Sequence, residues 1–261
     1  MGERLGLEAA LRAGRDGGRK LLVPYVTGGV SADWTEVVRA MAAAGADAVE
    51  VGIPFSDPVM DGPTIQAASE QALAKGATPV SVLDEVRGID AGIPLAVMTY
   101  YNIVFRAGHQ RFASDLAAAG VGGAIVPDLP LDELGAWAAA ADDAGVATVL
   151  LAAPTASDER LVAVCARSRG FVYAVSVLGV TGERAALADS ATVIAKRLKA
   201  ITDRPVIVGV GISTPEQAVQ ACQEADGVVM GAAVMRRLLD GAGPEGVGEF
   251  VAGVRAALDR G

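Results

Sequence analysis

The chain has 261 residues, of which 52% are hydrophobic and 20% charged, and its formal net charge is -9. This apolar fraction excludes a disordered chain, and the acidic balance argues against a nucleic-acid surface, which needs a basic excess. A single eight-fold α/β barrel takes about 250 residues, so the length admits one such domain. Two cysteines, Cys165 and Cys222, fall in stretches that read as helices, without metal-ligand spacing. They are expected to be free thiols in a reducing compartment rather than a disulfide. The first residues lack the apolar run of a signal peptide, and no run reaches the ~18 apolar residues of a membrane span. A cytoplasmic, soluble protein with neither nucleic acid nor membrane as partner is expected.

In chain order, the first dozen residues predict a short helix that plugs the bottom of a barrel. Candidate strands then follow at Leu21–Thr27, Ala48–Ile53, Leu95–Tyr101, Gly123–Pro127, Thr148–Ala152, Phe171–Val177, Pro205–Val210 and Gly227–Met230. Each is a nearly continuous apolar run, as expected for parallel strands buried on both faces. Between them lie Ala-rich amphipathic stretches, including Trp34–Ala44, Gln110–Ala119, Glu133–Ala144, Asp158–Arg167 and Pro215–Glu224. Ser31 or Asp33, Ser157 or Asp158, and Ser213-Thr214-Pro215 offer helix starts, and Gly45, Gly120 and Gly145 offer stops. Eight strand–helix units predict an α/β fold, a single (β/α)8 TIM barrel over residues 1–261 with an extra N-terminal helix. The rival is a doubly wound open sheet. Its usual glycine fingerprint after the first strand is not matched by Val26-Thr27-Gly28-Gly29. The gaps after the second and sixth strands are longer than the rest, and loops that follow strands lie on the catalytic face of a barrel.

Glu50 stands inside the apolar strand Ala48–Ile53, where an acid is costly to bury. It is either an ion-pair partner or a carboxyl in the barrel mouth, with its pKa raised far enough for it to donate and accept a proton. Asp61 follows in the long second loop. Asp-Gly-Pro is a good turn sequence, but with Glu50 it would give two carboxyls on one βα unit, able to divide acid and anion roles. Asp57 reads as a loop-shaping residue. The one histidine, His109, is expected to be exposed. With no Ser–His or Cys–His pair and no cluster of metal ligands, acid–base work falls to carboxylates, Tyr or Lys, and no metal is expected. Glycine turns follow strands six, seven and eight: Gly179-Val180-Thr181-Gly182, Gly209-Val210-Gly211-Ile212-Ser213 and Met230-Gly231-Ala232-Ala233. Glycines and helix N-termini there suit a phosphate, although packing alone could also require them. Tyr173, Tyr100 and Tyr101 could line an apolar pocket or simply pack.

Glu50-Val51-Gly52-Ile53-Pro54-Phe55-Ser56-Asp57-Pro58 followed by Asp61-Gly62-Pro63-Thr64-Ile65-Gln66 resembles the signature of the tryptophan synthase α subunit family. The resemblance continues in order through Tyr100-Tyr101-Asn102, Pro127-Asp128-Leu129-Pro130, Ala153-Pro154-Thr155 and the glycine turns of the sixth and seventh loops. It implies retro-aldol cleavage of indole-3-glycerol phosphate to indole and glyceraldehyde 3-phosphate, without cofactor or metal. In that reading Glu50 is the acid and base, and Asp61 binds the indole N–H. Tyr173 lies near the glycerol chain, and Thr181 helps to close the site. Gly182, Gly211, Gly231 and Ala232 hold the phosphate. Tyr25, Met98, Ile125, Val210 and Val229 surround the indole, and Tyr100 is a further substrate-binding residue. The resemblance also implies a β-subunit partner in an α2β2 tetramer, with pyridoxal phosphate on that partner alone.

The chain departs from the family pattern at three places. Ala232 stands where serine is frequent, which removes a hydroxyl worth about 1–3 kcal/mol if it bonds a charged phosphate. Met60 replaces a common alanine, and Val177-Leu178 replaces a more polar pair. Alternatives to the complexed lyase are a free-standing indole-releasing lyase, another phosphosugar isomerase or epimerase, and an idle subunit that only regulates its partner.

Overall fold

The computed structural model describes residues 6–175, 184–209 and 211–261, with the backbone alone for 184–190. The apolar runs form β1 (Leu21–Thr27), β2 (Val49–Gly52), β3 (Leu95–Met98), β4 (Val121–Ile125), β5 (Ala147–Ala152), β6 (Val172–Val175), β7 (Val206–Gly209) and β8 (Gly227–Met230). Each strand pairs in parallel with the next in sequence, and β8 returns to β1 with Gly227 opposite Leu21, so the sheet closes. The helices are α1 (Leu7–Asp16), α2 (Trp34–Ala43), α3 (Pro63–Ala74), α4 (Pro79–Arg87), α5 (Tyr101–Ala107), α6 (His109–Ala118), α7 (Gly135–Asp143), α8 (Asp158–Arg167), α9 (Arg184–Lys199), α10 (Pro215–Ala221), α11 (Ala232–Leu239) and α12 (Gly243–Leu258). This is a (β/α)8 barrel with an additional N-terminal helix, as the strand pattern predicts. Among the described residues no helix is long and apolar enough to cross a membrane.

Two apolar clusters explain why the strands read as continuous hydrophobic runs. Alternate strand residues point to opposite faces. Val49 and Val51 face outward and pack with Trp34, Val38 and Met41 of α2 in the cluster beneath the helices. Ala48 faces inward with Leu21, Val23, Ala96, Ile125, Val149, Phe171, Tyr173, Ile207 and Val229, which fill the barrel. Leu7 and Leu11 of α1, both buried, belong to this inner cluster, so the first helix does plug the barrel. By the same alternation Glu50 points inward, and so do Tyr25 and Met98.

Local chemistry sets the element ends. Ser157 Oγ accepts the Arg160 N–H and Thr214 Oγ1 accepts the Gln217 N–H, both at 3.3 Å, capping α8 and α10. Asp33 occupies the N-cap of α2 without a side-chain cap bond. Gly120 and Gly145 follow α6 and α7 at φ of 78° and 72°, a left-handed backbone that favours glycine. Two sequence expectations shift. The third strand stops at Met98 rather than Tyr101, because Tyr101 opens α5 and its N–H donates to Asp128 Oδ1 at 2.8 Å. The helix expected over Glu133–Ala144 divides into a 3-10 turn at Leu131–Glu133 and α7. Both cysteines are buried free thiols; Cys222 sits just beyond α10 at its C-cap rather than within it.

Candidate active site

Glu50 is 1% exposed, yet its Oε2 has no hydrogen-bond partner among the described residues. No described residue forms an ion pair with this acid. Burial pushes its pKa from 4.5 up to about 8, and the charge of Asp61 pushes in the same direction. A carboxyl in that state is protonated at neutral pH and can ionise at small cost, as proton transfer in both directions requires.

Asp61 is held from the turn that follows β3. The Tyr100 hydroxyl donates to Asp61 Oδ2 at 3.0 Å and accepts the Met60 N–H at 3.0 Å. The Tyr100 ring stacks on Phe55 with centroids 5.0 Å apart, so both ends of the β2–α3 loop lean on one tyrosine. The loop closes on itself as well: the Asp61 N–H donates to the Pro58 carbonyl at 3.0 Å, and Gln66 Nε2 donates to the Asp61 carbonyl at 2.8 Å. Burial raises the Asp61 pKa, and the Tyr100 hydrogen bond opposes that rise by favouring the anion.

Glu50 and Asp61 share a cavity of about 350 Å³ at the C-terminal ends of the strands. Its apolar walls include Met98, Ile65 and Val229, with Tyr25 and Tyr173 adding rings. Burial raises both tyrosine pKa values, so both phenols stay protonated. Two strand glycines make room for these rings. A Cβ on Gly52 would lie 1.9 Å from the Tyr25 hydroxyl, and one on Gly209 would lie 2.3 Å from the Tyr173 hydroxyl. Gly211, Ser213, Gly231 and Ala232 also line the cavity. Gly211 has φ of 80°. Gly231 is the N-cap of α11, whose first N–H groups receive no side-chain cap. Uncapped amides at a helix start attract an anion.

Glu50, Asp61, Tyr25, Met98, Tyr173, Gly211, Val229, Gly231 and Ala232 thus meet in one cavity. Tyr100 stands behind Asp61 rather than on the cavity wall. Ile125 is fully buried in the inner cluster and does not reach the cavity. Thr181, Gly182 and Val210 lie outside the described residues, as does the Val177-Leu178 pair. His109 is half-buried rather than exposed: the Tyr101 hydroxyl is 3.0 Å from its Nε2, and the rings stack at 5.8 Å. Sequence reasoning did not select Arg236, which also lines the cavity. The available signal was its spacing, four residues beyond Ala232 and so on the same face of α11.

The profile of the family described as "Tryptophan synthase alpha chain" matches residues 11–248. The tryptophan synthase alpha chain of Thermobifida fusca is 45% identical over 254 residues, covering 92% of this chain and 94% of that protein. The chain belongs to the tryptophan synthase alpha chain family. Solved members agree in shape. A tryptophan synthase chain of Mycobacterium tuberculosis superposes with a TM-score of 0.89 at 39% identity, over 98% of this chain and 99% of that one. The alpha subunit of Legionella pneumophila gives 0.90 at 31% identity, over 98% and 99%. The α reaction of tryptophan biosynthesis, a lyase cleavage of indole-3-glycerol phosphate, is the activity of this family.

Proposed function

We propose that Glu50 and Asp61 together carry out the retro-aldol cleavage of indole-3-glycerol phosphate in this chain. The observation that carries the reading is the buried Glu50 carboxyl, whose Oε2 has no partner among the described residues and whose pKa is near 8, facing the same cavity as Asp61. Glu50 enters protonated and gives its proton to indole C3. The ring nitrogen then bears positive charge, and the Asp61 carboxylate accepts its N–H and stabilises it. The Glu50 carboxylate next takes the proton of the glycerol hydroxyl adjacent to the ring. The hydroxyl oxygen becomes the aldehyde carbonyl, the carbon–carbon bond breaks, and its electron pair returns to the ring. Indole and glyceraldehyde 3-phosphate leave, and Glu50 is protonated again, so the cycle balances.

The remaining assignments follow from the cavity's two ends. The indole occupies the apolar end beside Tyr25, Met98 and Val229, backed by Tyr100 and Ile125. Tyr173 faces the glycerol chain. The phosphate sits at Gly211, Gly231 and Ala232, with Gly182 assigned there and Thr181 assigned to closing the site by their places in the motif. The acid–base pair supplies the chemistry without a cofactor or metal. We read the whole chain, 1–261, as one barrel domain of the cytoplasm. Its partner is a tryptophan synthase β subunit that carries the pyridoxal phosphate, in an α2β2 tetramer. Val59 and Met60, 80% and 51% exposed on the loop that presents Asp61, are apolar surface that such a partner would cover. The test is incubation with indole-3-glycerol phosphate while following indole, for wild type, Glu50→Gln and Asp61→Asn, each with and without a β subunit. Loss of indole release in both variants supports the roles given. Wild-type rates in Glu50→Gln would refute them.

A further inference from the structure

Two adjacent arginines of α11 behave differently. Arg237 is committed to structure: its Nη1 donates to the Ala233 carbonyl at 2.8 Å, and its guanidinium lies 3.5 Å from the Phe250 ring centroid. Arg236 makes neither a hydrogen bond nor an ion pair with any described residue, is exposed, and lines the cavity. It is the only Lys or Arg among the described residues lining it, against the two acids Glu50 and Asp61. It stands one helical turn beyond Ala232, on the face of α11 that the cavity sees. Ala233, Val234 and Met235 between them are buried.

We propose that Arg236 is a phosphate-binding residue of this site and supplies, by a charge-assisted contact, the donor that Ala232 lacks. The proposal rests on the placing of the substrate phosphate at Gly211 and Gly231. Backbone amides at α11 fix the position of a dianion but carry no full positive charge, and Ala232 has no hydroxyl to add. A guanidinium is always charged and presents planar paired N–H donors that match phosphate oxygens. From one turn along the helix it approaches the phosphate from the solvent side, completing a ring of donors begun by the amides. It would also make the mouth selective for phosphorylated glycerol over the free alcohol.

The experiment measures the Kd of sn-glycerol 3-phosphate and the KM of indole-3-glycerol phosphate for wild type, Arg236→Gln, Arg236→Lys and the double variant Ala232→Ser with Arg236→Gln. Arg236→Gln is expected to raise the Kd and KM about tenfold, equivalent to about 1.4 kcal/mol. Arg236→Lys should recover part of the loss, and the restored serine hydroxyl should recover part in the double variant. Thermal unfolding of each variant controls for folding. If Arg236 served only α11, Arg236→Gln would lower the melting temperature and leave the Kd unchanged, which would overturn the proposal. If wild type itself releases no indole and binds no glycerol phosphate, the reading of the site fails first. A wild type that does both, with an Arg236→Gln variant of equal Kd, rejects the arginine's role alone.

Discussion

Replacing Glu50 with Gln separates what this carboxyl does for chemistry from what it does to stability. Its pKa rises from 4.5 to about 8 on folding, with burial the larger cause and the Asp61 charge the second. Between those values the folded chain binds more protons than the unfolded one, so stability falls as pH rises. The Glu50 contribution is whole below 4.5 and is lost by the time the pH has passed about 8. A gap of about 3.5 pH units at about 1.4 kcal/mol each makes the full loss about 5 kcal/mol. Glutamine never ionises, so its stability should be flat over the same range. Fitting an amide in place of the acid has its own cost, but that cost does not depend on pH and cancels between two pH values. The stability of Glu50→Gln relative to wild type should therefore improve by about 3 kcal/mol between about pH 5.5 and about pH 8.5. Urea denaturation of both proteins at the two pH values reads this difference directly. A difference between variant and wild type that is the same at both would show that the folded-state carboxyl is not held protonated, and the proton-donor role would fall with it.

Other outcomes follow from the same geometry. The acid form of Glu50 is needed to protonate indole C3, so kcat/KM for indole release should decline above about pH 8, as a pH–rate profile will show. Asp61→Asn keeps the shape but removes the charge that stabilises the ring cation, and kcat should fall by a factor of about 10² or more in steady-state kinetics. Tyr100→Phe removes the bond to Asp61 Oδ2 and the acceptor of the Met60 N–H. It should raise the pKa of Asp61, move the acid limb of the pH–rate profile upward and reduce kcat about tenfold. Gly52→Ala would place a methyl 1.9 Å from the Tyr25 hydroxyl and 2.5 Å from its Cζ. Displacing that buried ring should cost about 1–3 kcal/mol of stability, read by denaturant midpoint, and should raise the KM.

The strands and the acid pair were legible in the sequence because each follows from a local rule. Two-sided burial writes a continuous apolar run, and a lone acid inside one must be explained. Leu95–Tyr101 extends beyond the strand it predicts, because apolar residues continue into the turn that shapes the site. Tyr100 was legible as part of the pocket but not as the residue that holds Asp61. That role depends on a contact between residues 39 positions apart, which no periodicity encodes. Ile125 has the composition of a pocket wall yet lies within the inner packing, since depth along a strand decides whether an inward side chain meets ligand or core. His109 was expected on the surface, but Tyr101 and Phe105 on the preceding helix shelter it. Arg236 escaped notice because adjacent arginines on an amphipathic helix read as a solvated face. Only the cavity shows that one of the two has a charge without a partner among the described residues.

The glycines opposite Tyr25 and Tyr173 have a consequence for how this cavity could change its substrate. Its floor is set by how deeply two phenol rings sink into neighbouring strands, and the missing side chains at Gly52 and Gly209 set that depth. A designer who varied only the residues in contact with ligand would be redecorating a room of fixed height. A single methyl on either strand, at a residue that does not itself line the cavity, would lift the floor and leave space for a smaller ring than indole.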